Sequence, residues 1–261
     1  MYVFISELKR AIYSKKFLLA IIIGIIAQIA GVLSMTYKEL FSIFQGASCD
    51  EAIRNMFNKY ILWYFSTEIS CFSVPLICCI PFSASLIEDR KSNYINFINI
   101  RTSYKSYIKA KIVACFCSGF LTVLISTIIF YILISLTPYK DNPTNIAGFM
   151  RDIYINNPEI YLIIYAFICS LMGGVYALIG LALSTKVKSK VASIVFPLVY
   201  YYIGIYVFSM LGLVGLEPGS VNCFFARSNV TGIYIFGQLV FYFIVSVIFI
   251  LRNENRRGCY D

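Results

Sequence analysis

The chain has no histidine in 261 residues and only 13 Asp and Glu. Without His, the H-E-x-x-H metalloprotease, the Ser–His dyad and most zinc chemistry are closed to it. No G-x-x-x-x-G-K-[ST] loop occurs, so the usual backbone cradle for ATP is missing. The G-x-S-x-G elbow of hydrolases is also absent. Enzyme chemistry would have to rest on Glu68, Ser or Tyr alone, and the chain is therefore read as no enzyme and as holding no cofactor or metal of its own. Long polar stretches are lacking as well: the longest is about 25 residues, too short for a second folded domain. Residues 1–16 have no small-residue cleavage site, so the first apolar run is expected to open a membrane domain.

What is present is apolar. Hydrophobic residues make up 59% of the chain and charged residues 13%, far from a soluble globular composition. Six apolar runs stand out, at 17–35, 60–82, 112–136, 160–183, 191–213 and 231–251. Each can cross a hydrocarbon core of about 30 Å as a helix. Backbone amides in lipid need internal partners, so helices are the natural form for these runs. The expected fold class is all-α, a polytopic membrane protein with six transmembrane helices over 17–251. An N-terminal amphipathic segment (1–16) and a short tail (252–261) flank them.

The charge is lopsided. Lys9, Arg10, Lys15 and Lys16, six basic residues in the 83–111 loop, Lys186, Lys188, Lys190, and Arg252, Arg256 and Arg257 all fall on one side of the runs. That is sixteen of the 22 basic residues. Basic loops stay cytoplasmic, so both termini are expected inside a cell membrane. The formal net charge of +9 is thereby an orientation signal rather than a nucleic-acid surface, since no soluble basic domain carries it. The Ile-, Lys-, Asn- and Tyr-rich composition suits a bacterial source.

Several residues within the runs are candidates for function. In 2–16, Phe4, Leu8 and Ile12 recur every four residues and oppose Glu7, Arg10 and Ser14. The segment reads as a helix lying in the lipid interface or as a plain extension of the first span. Ala20, Gly24, Ala27 and Gly31 form a small-residue stripe suited to close helix packing. Glu68 is either an intramembrane carboxylate lining a cavity or a residue at the wet boundary. Ser118, Thr122 and Ser126 form a polar stripe that faces a pathway or bonds back to its own helix. Tyr201 and Tyr202 in the fifth run line a cavity or pack with their hydroxyls bonded to other helices. Cys49 and Cys223 fall in expected outer loops, where they are able to pair, whereas most other cysteines behave as small hydrophobes. Phe224 and Phe225 have the character of a segment that dips back into the outer leaflet.

The most informative stretch is SASLIEDRKSNYINFINIRTSYKSYIKAKI, residues 83–112. It opens on Glu88, Asp89 and Arg90, continues through Tyr94, Phe97 and Ile98, and closes on the basic ladder Arg101, Lys105 and Lys109. A plain tether has no need of so many large apolar residues. A short amphipathic helix here offers a docking knob to a soluble partner or lies on lipid. With the basic N-terminal segment, the six spans and the acidic-start loop, the chain resembles the transmembrane subunits of ATP-binding-cassette exporters of the type-2 permease family. Glu88 and Lys111 match the ends of that family's loop. Ser92-Asn93 stand where Gly-Thr is usual, and no Pro precedes Tyr104.

The resemblance implies that the 83–111 loop is a coupling helix inserting into a cytoplasmic ATPase subunit that carries ATP and Mg. It also implies a second six-span half, identical or related, and surrounding membrane lipid, with no nucleic-acid partner. Coupling would fall to Glu88, Asp89, Arg90, Tyr94, Phe97 and Ile98. Glu68, Ser118, Thr122, Ser126, Tyr201 and Tyr202 would line the path of an amphipathic or hydrophobic cargo, such as a peptide, drug or lipid-like molecule. The competing reading is a non-transporting polytopic sensor, scaffold or assembly factor.

Overall fold

The computed structural model describes residues 2–44, 49–139, 148–223 and 230–257. The described residues are helical, with no strand among them. Six long helices are apolar enough to cross a membrane: α2 (Lys15–Phe44), α4 (Lys59–Ile77), α7 (Tyr104–Ser135), α9 (Pro158–Ser184), α10 (Lys190–Met210) and α11 (Gly232–Arg257). They match the six apolar runs one for one. Five short helices join them: α1 (Tyr2–Ile12), α3 (Cys49–Met56), α5 (Ser85–Lys91), α6 (Tyr94–Arg101) and α8 (Arg151–Asn156).

Two boundaries differ from the sequence expectation. Helix α4 ends at Ile77 rather than running to 82. Pro75 sits in its last turn, and Pro81 follows within the turns of 78–84, where a continuing helix would lack an amide donor. Helix α7 begins at Tyr104, eight residues before the expected start. Its first two turns carry Lys105 and Lys109 of the basic ladder, so much of the supposed 83–111 loop is helix.

Helix α9 is the hub. It buries 72% of its most apolar stretch, against 22% for α10 and 28% for α2, so α10 and α2 lie at the periphery of the bundle. Small residues set the closest approach. A Cβ on Gly119 of α7 would lie 2.7 Å from Ala177 Cβ and 2.9 Å from the Gly173 carbonyl oxygen of α9. On α2, a Cβ at Gly31 would fall 2.5 Å from Ser66 Cα of α4. The small-residue stripe of the first span is thus a packing surface.

Between α10 and α11 the chain turns back into the bundle through two short 3-10 turns, Val214–Leu216 and Pro218–Ser220. Residues 217–222 are all buried. Tyr176 donates a 3.1 Å hydrogen bond to the Pro218 carbonyl, and Gln238 Nε2 donates to Gly215 O at 2.8 Å. Tyr176 lies eighteen residues into α9, roughly 27 Å along its axis, so this segment is deeply re-entrant. Phe224 and Phe225, expected to make such a dip, lie outside the described residues. Cys223 is bonded to Cys71 of α4 rather than to Cys49. The in-folded segment carries Cys223 down to a cysteine that hydropathy had counted as core.

Because Gly119 faces α9 at contact distance, Gly119→Ala is expected to destabilise the bundle by about 1–3 kcal/mol through overpacking. Gly237→Ala, where a Cβ meets nothing within 4 Å, is expected to leave stability unchanged or slightly higher. Thermal unfolding of both variants in the same detergent checks the contrast.

Candidate functional site

Three consecutive residues of α5 reach in three directions. Glu88 accepts from Lys190 at the start of α10 at 2.9 Å and from Lys16 at the start of α2. Arg90 pairs with Glu254 near the end of α11 at 2.5 Å and donates to the Ser184 carbonyl, the last residue of α9, at 3.1 Å. Tyr104 of α7 donates to the other Glu254 oxygen. Between them, Asp89 is completely buried and bonded to Arg10 of α1 and to Tyr107 and Lys111 of α7. Lys111 also reaches Glu7 of α1 at 3.2 Å. One seven-residue helix thus fastens α1, α2, α7, α9, α10 and α11 at the basic end of the bundle.

The Asp89 cluster is balanced. Glu7, Asp89 and Lys111 are each within 1% of full burial, and Arg10 is half-buried. Two carboxylates face two cations, with the Tyr107 hydroxyl as a further donor. Burying such charges costs several kcal/mol per ion, which the mutual pairing offsets only while every partner is present. Burial pushes the Asp89 pKa upward, but the Arg10 hydrogen bond and the Lys111 charge outweigh it and hold the carboxyl below its ordinary value. The same balance runs for Glu88, where Lys16 and Lys190 prevail over burial. For Arg10, burial is outweighed by Asp89 and Glu7, and its pKa is raised.

Placement of the six sequence-derived coupling residues is uneven. Glu88, Asp89 and Arg90 are turned into the bundle. Tyr94 stacks under the Arg10 guanidinium, 4.7 Å from ring centroid to Cζ, and Ile98 packs on the core around Leu86, Tyr107 and Ile108. Phe97 alone of the six projects freely, 67% exposed, and next to it Ile100 is 83% exposed. A groove of about 690 Å³ runs between α6 and α1, lined by Val3, Tyr94, Phe97 and Ile100 among others. In α1 itself, Glu7 and Ala11 face the bundle while Phe4 and Ile5 look outward, the reverse of a helix that seats its apolar stripe on protein.

A second cluster, not visible to hydropathy, closes the opposite end. Lys59 of α4 is buried and pairs with Glu159 of α9 at 2.6 Å. Tyr60 donates to Glu159 at 3.1 Å, and Tyr131 of α7 bonds both Glu159 and Lys59. The signal that would have found it is a Lys and a Glu each sitting just ahead of an apolar run. On α7, Lys111 and Tyr131 are twenty residues apart, about 30 Å. The two ion clusters therefore bracket one hydrocarbon thickness.

The expected pathway residues do not converge. Ser118, Thr122 and Ser126 are buried, and each hydroxyl bonds back to its own helix, to Cys115 O at 2.9 Å, Ser118 O at 2.7 Å and Val123 O at 3.0 Å. Of these Ser126 borders a cavity. Tyr201 is fully buried against Tyr176 of α9 and the re-entrant segment. Tyr202 is partly exposed and stacks on Phe72, centroids 6.2 Å apart. Glu68 lies on the exposed outer face of α4, nine residues into the helix. No family model, curated protein or solved structure matches the chain.

Lys111→Met leaves two buried carboxylates with Arg10 alone and is expected to cost about 3–5 kcal/mol. Lys16→Met removes a half-exposed partner of Glu88 and is expected to cost less than about 1 kcal/mol. Chemical unfolding of the two variants in mild detergent separates these outcomes. Acid gives an orthogonal check. With folded-state pKa values of Asp89 and Glu88 depressed, their contribution is complete above about pH 4 and is lost as pH falls below it. The unfolding midpoint is expected to be level between pH 5 and 8 and to drop in acid, with a shallower drop in Asp89→Asn.

Proposed function

We propose that this chain is the membrane-spanning subunit of an ATP-driven exporter of the ATP-binding-cassette type-2 permease kind. Its motor is a separate cytoplasmic ATPase subunit that carries ATP and Mg, and a second six-span half, identical or related, completes the pathway. Cargo is an amphipathic or hydrophobic molecule. The observation that carries this reading is the contrast between α5 and α6. Helix α5 is fastened to six other helices by Glu88, Asp89 and Arg90, whereas α6, the next element, offers Phe97 and Ile100 to the surroundings beside an open groove. Such an apolar knob on a rigid base is suited to transmit force from a soluble partner into the bundle. The basic residues clustered at this end support its placement in the cytoplasm.

Asp89 and Arg90 are bonded within the bundle, so on this reading motor contact falls to Phe97, Ile100 and the α1–α6 groove. A displacement of α6 reaches α5 directly and, through its five ion pairs, the basic ends of α1, α2, α7, α10 and α11 at once. A push there is therefore delivered to the bundle as a whole.

The test is capture from the native host membrane. The full chain, purified in mild detergent, is expected to bring down a soluble ATPase. The double variant Phe97→Asp with Ile100→Asp is expected to release it at least about tenfold, as loss of an apolar anchor does, with an unchanged unfolding midpoint. Absence of any ATPase, or capture that survives the double variant, would favour a sensor or scaffold instead.

A further inference from the structure

A cavity inside the bundle, away from the ends, carries a second site. It lies among α2, α4, α7 and α9 and the re-entrant segment, and its lining holds no ionisable carboxylate or amine. Its polar wall includes Gln28, Ser70, Ser73, Thr127 and Asn222. Two of these are amides. Gln28 is 6% exposed, sits in the middle of an apolar helix and lines the cavity wall. Asn222 is fully buried, and its Oδ1 has no partner, while its Nδ2 makes only a 3.5 Å contact to Cys71 O. Buried amides without partners are costly and normally satisfied by something bound. The probe-sized space here is about 30 Å³, room for about two waters or one small polar group.

The cavity has an apolar neighbour. A groove of about 120 Å³ lies on the far side of Trp63 and Thr127, which border both spaces. Leu124, Leu162, Ile128 and Ile163 line it, the last two 45% and 67% exposed on the outer face of the bundle. That face runs from Tyr131 of the Lys59–Glu159 cluster toward the middle of the bundle. A polar pocket thus abuts an apolar trough that opens sideways to lipid.

We infer that Gln28 and Asn222 form a binding site for the uncharged, hydrogen-bonding head of an amphiphile that enters from the bilayer, with its alkyl chain in the Leu124–Ile163 groove. An amide or hydroxyl head answers the unpartnered Asn222 Oδ1 by donating to it, with Gln28 on the cavity wall as a second hydrogen-bonding group. A charged head is disfavoured, because no counter-charge lines the cavity and desolvating an ion there is expensive. Neither Glu68, which faces outward, nor Glu217, buried in the re-entrant segment, is part of the wall. The site stands whether or not a motor binds α6.

The single tryptophan of the chain borders both halves of the site and reports occupancy directly. The full chain in phosphatidylcholine vesicles is titrated with dibromostearamide, whose bromines quench indole emission on contact. Saturable quenching of Trp63 is expected, with dibromostearate of equal chain length, ionised at pH 8, at least about tenfold weaker. Gln28→Leu, close in volume and on a separate helix from the re-entrant segment, is expected to weaken the neutral probe by about tenfold, the loss of one hydrogen bond to a buried group. Asn222→Leu is expected to do the same where it folds. Quenching that never saturates, that is equal for neutral and anionic heads, or that is unmoved by Gln28→Leu overturns the site. The assay contains no ATPase, so loss of motor capture with saturable quenching intact would sink the exporter reading and leave this site in place.

Discussion

The buried carboxylate of Asp89 is the contact on which the architecture of the basic end depends. A carboxylate in that position is unfavourable by several kcal/mol unless its charge is answered. The answer comes from both sides in sequence: Arg10 from before the first span and Lys111 from the entry to the third. Because neither cation alone balances the pair Glu7 and Asp89, the cluster is complete only when α1, α5 and α7 meet. Apolar packing in a membrane gives little preference between one helix arrangement and another, since lipid tails are as apolar as Leu. A charge cluster with one satisfying geometry supplies the discrimination that packing lacks.

Hydropathy and charge counting carried the sequence reading as far as element number and the basic–acidic asymmetry. The six spans at hydrocarbon depth were legible because a 20-residue apolar run has few alternatives. The α5–α6 break was not, because Asn93 turns through a left-handed backbone (φ 55°) between two short helices with no glycine or proline to mark it. The partner of Glu7 was not legible for a different reason. The polar side of α1 is the face that meets Lys111, while Phe4 and Ile5 look outward. Pairing across 104 residues of sequence leaves no local trace. The same holds for Lys59 with Glu159, and for Cys71 with Cys223, where the in-folding of 214–223 decides the partner.

The functional residues sort by whether their chemistry is local. Ser118, Thr122 and Ser126 read as a polar stripe, but a hydroxyl on a helix has a carbonyl three or four residues back, and all three took it. Gln28 and Asn222 have no such outlet: an amide in the middle of a membrane helix or in a buried turn bonds across the bundle or not at all. Buried amides, rather than a stripe of hydroxyls, are therefore the better marker of a polar cavity in this protein, and neither stood out from composition.

The two ion clusters and the cavity between them also constrain how the bundle can move. Helix α7 is anchored at Lys111 and at Tyr131, and α9 is anchored near Ser184 by Arg90 and at Glu159. Rotation of either helix about its own axis would break an anchor at each end, whereas a tilt that keeps both ends paired is less costly. The cavity is bounded on one side by these two helices and on the other by α2 and α4. Of the latter, α2 is fastened at the basic end only through Lys16, a half-exposed tie of the weak kind. Widening of the cavity is thus expected through displacement of the α2 side, while the lipid-facing groove between α7 and α9 keeps its shape. A force entering at α6 reaches α2 through the Glu88–Lys16 contact, which, like Glu88–Lys190, involves a half-exposed lysine and yields without exposing a buried charge.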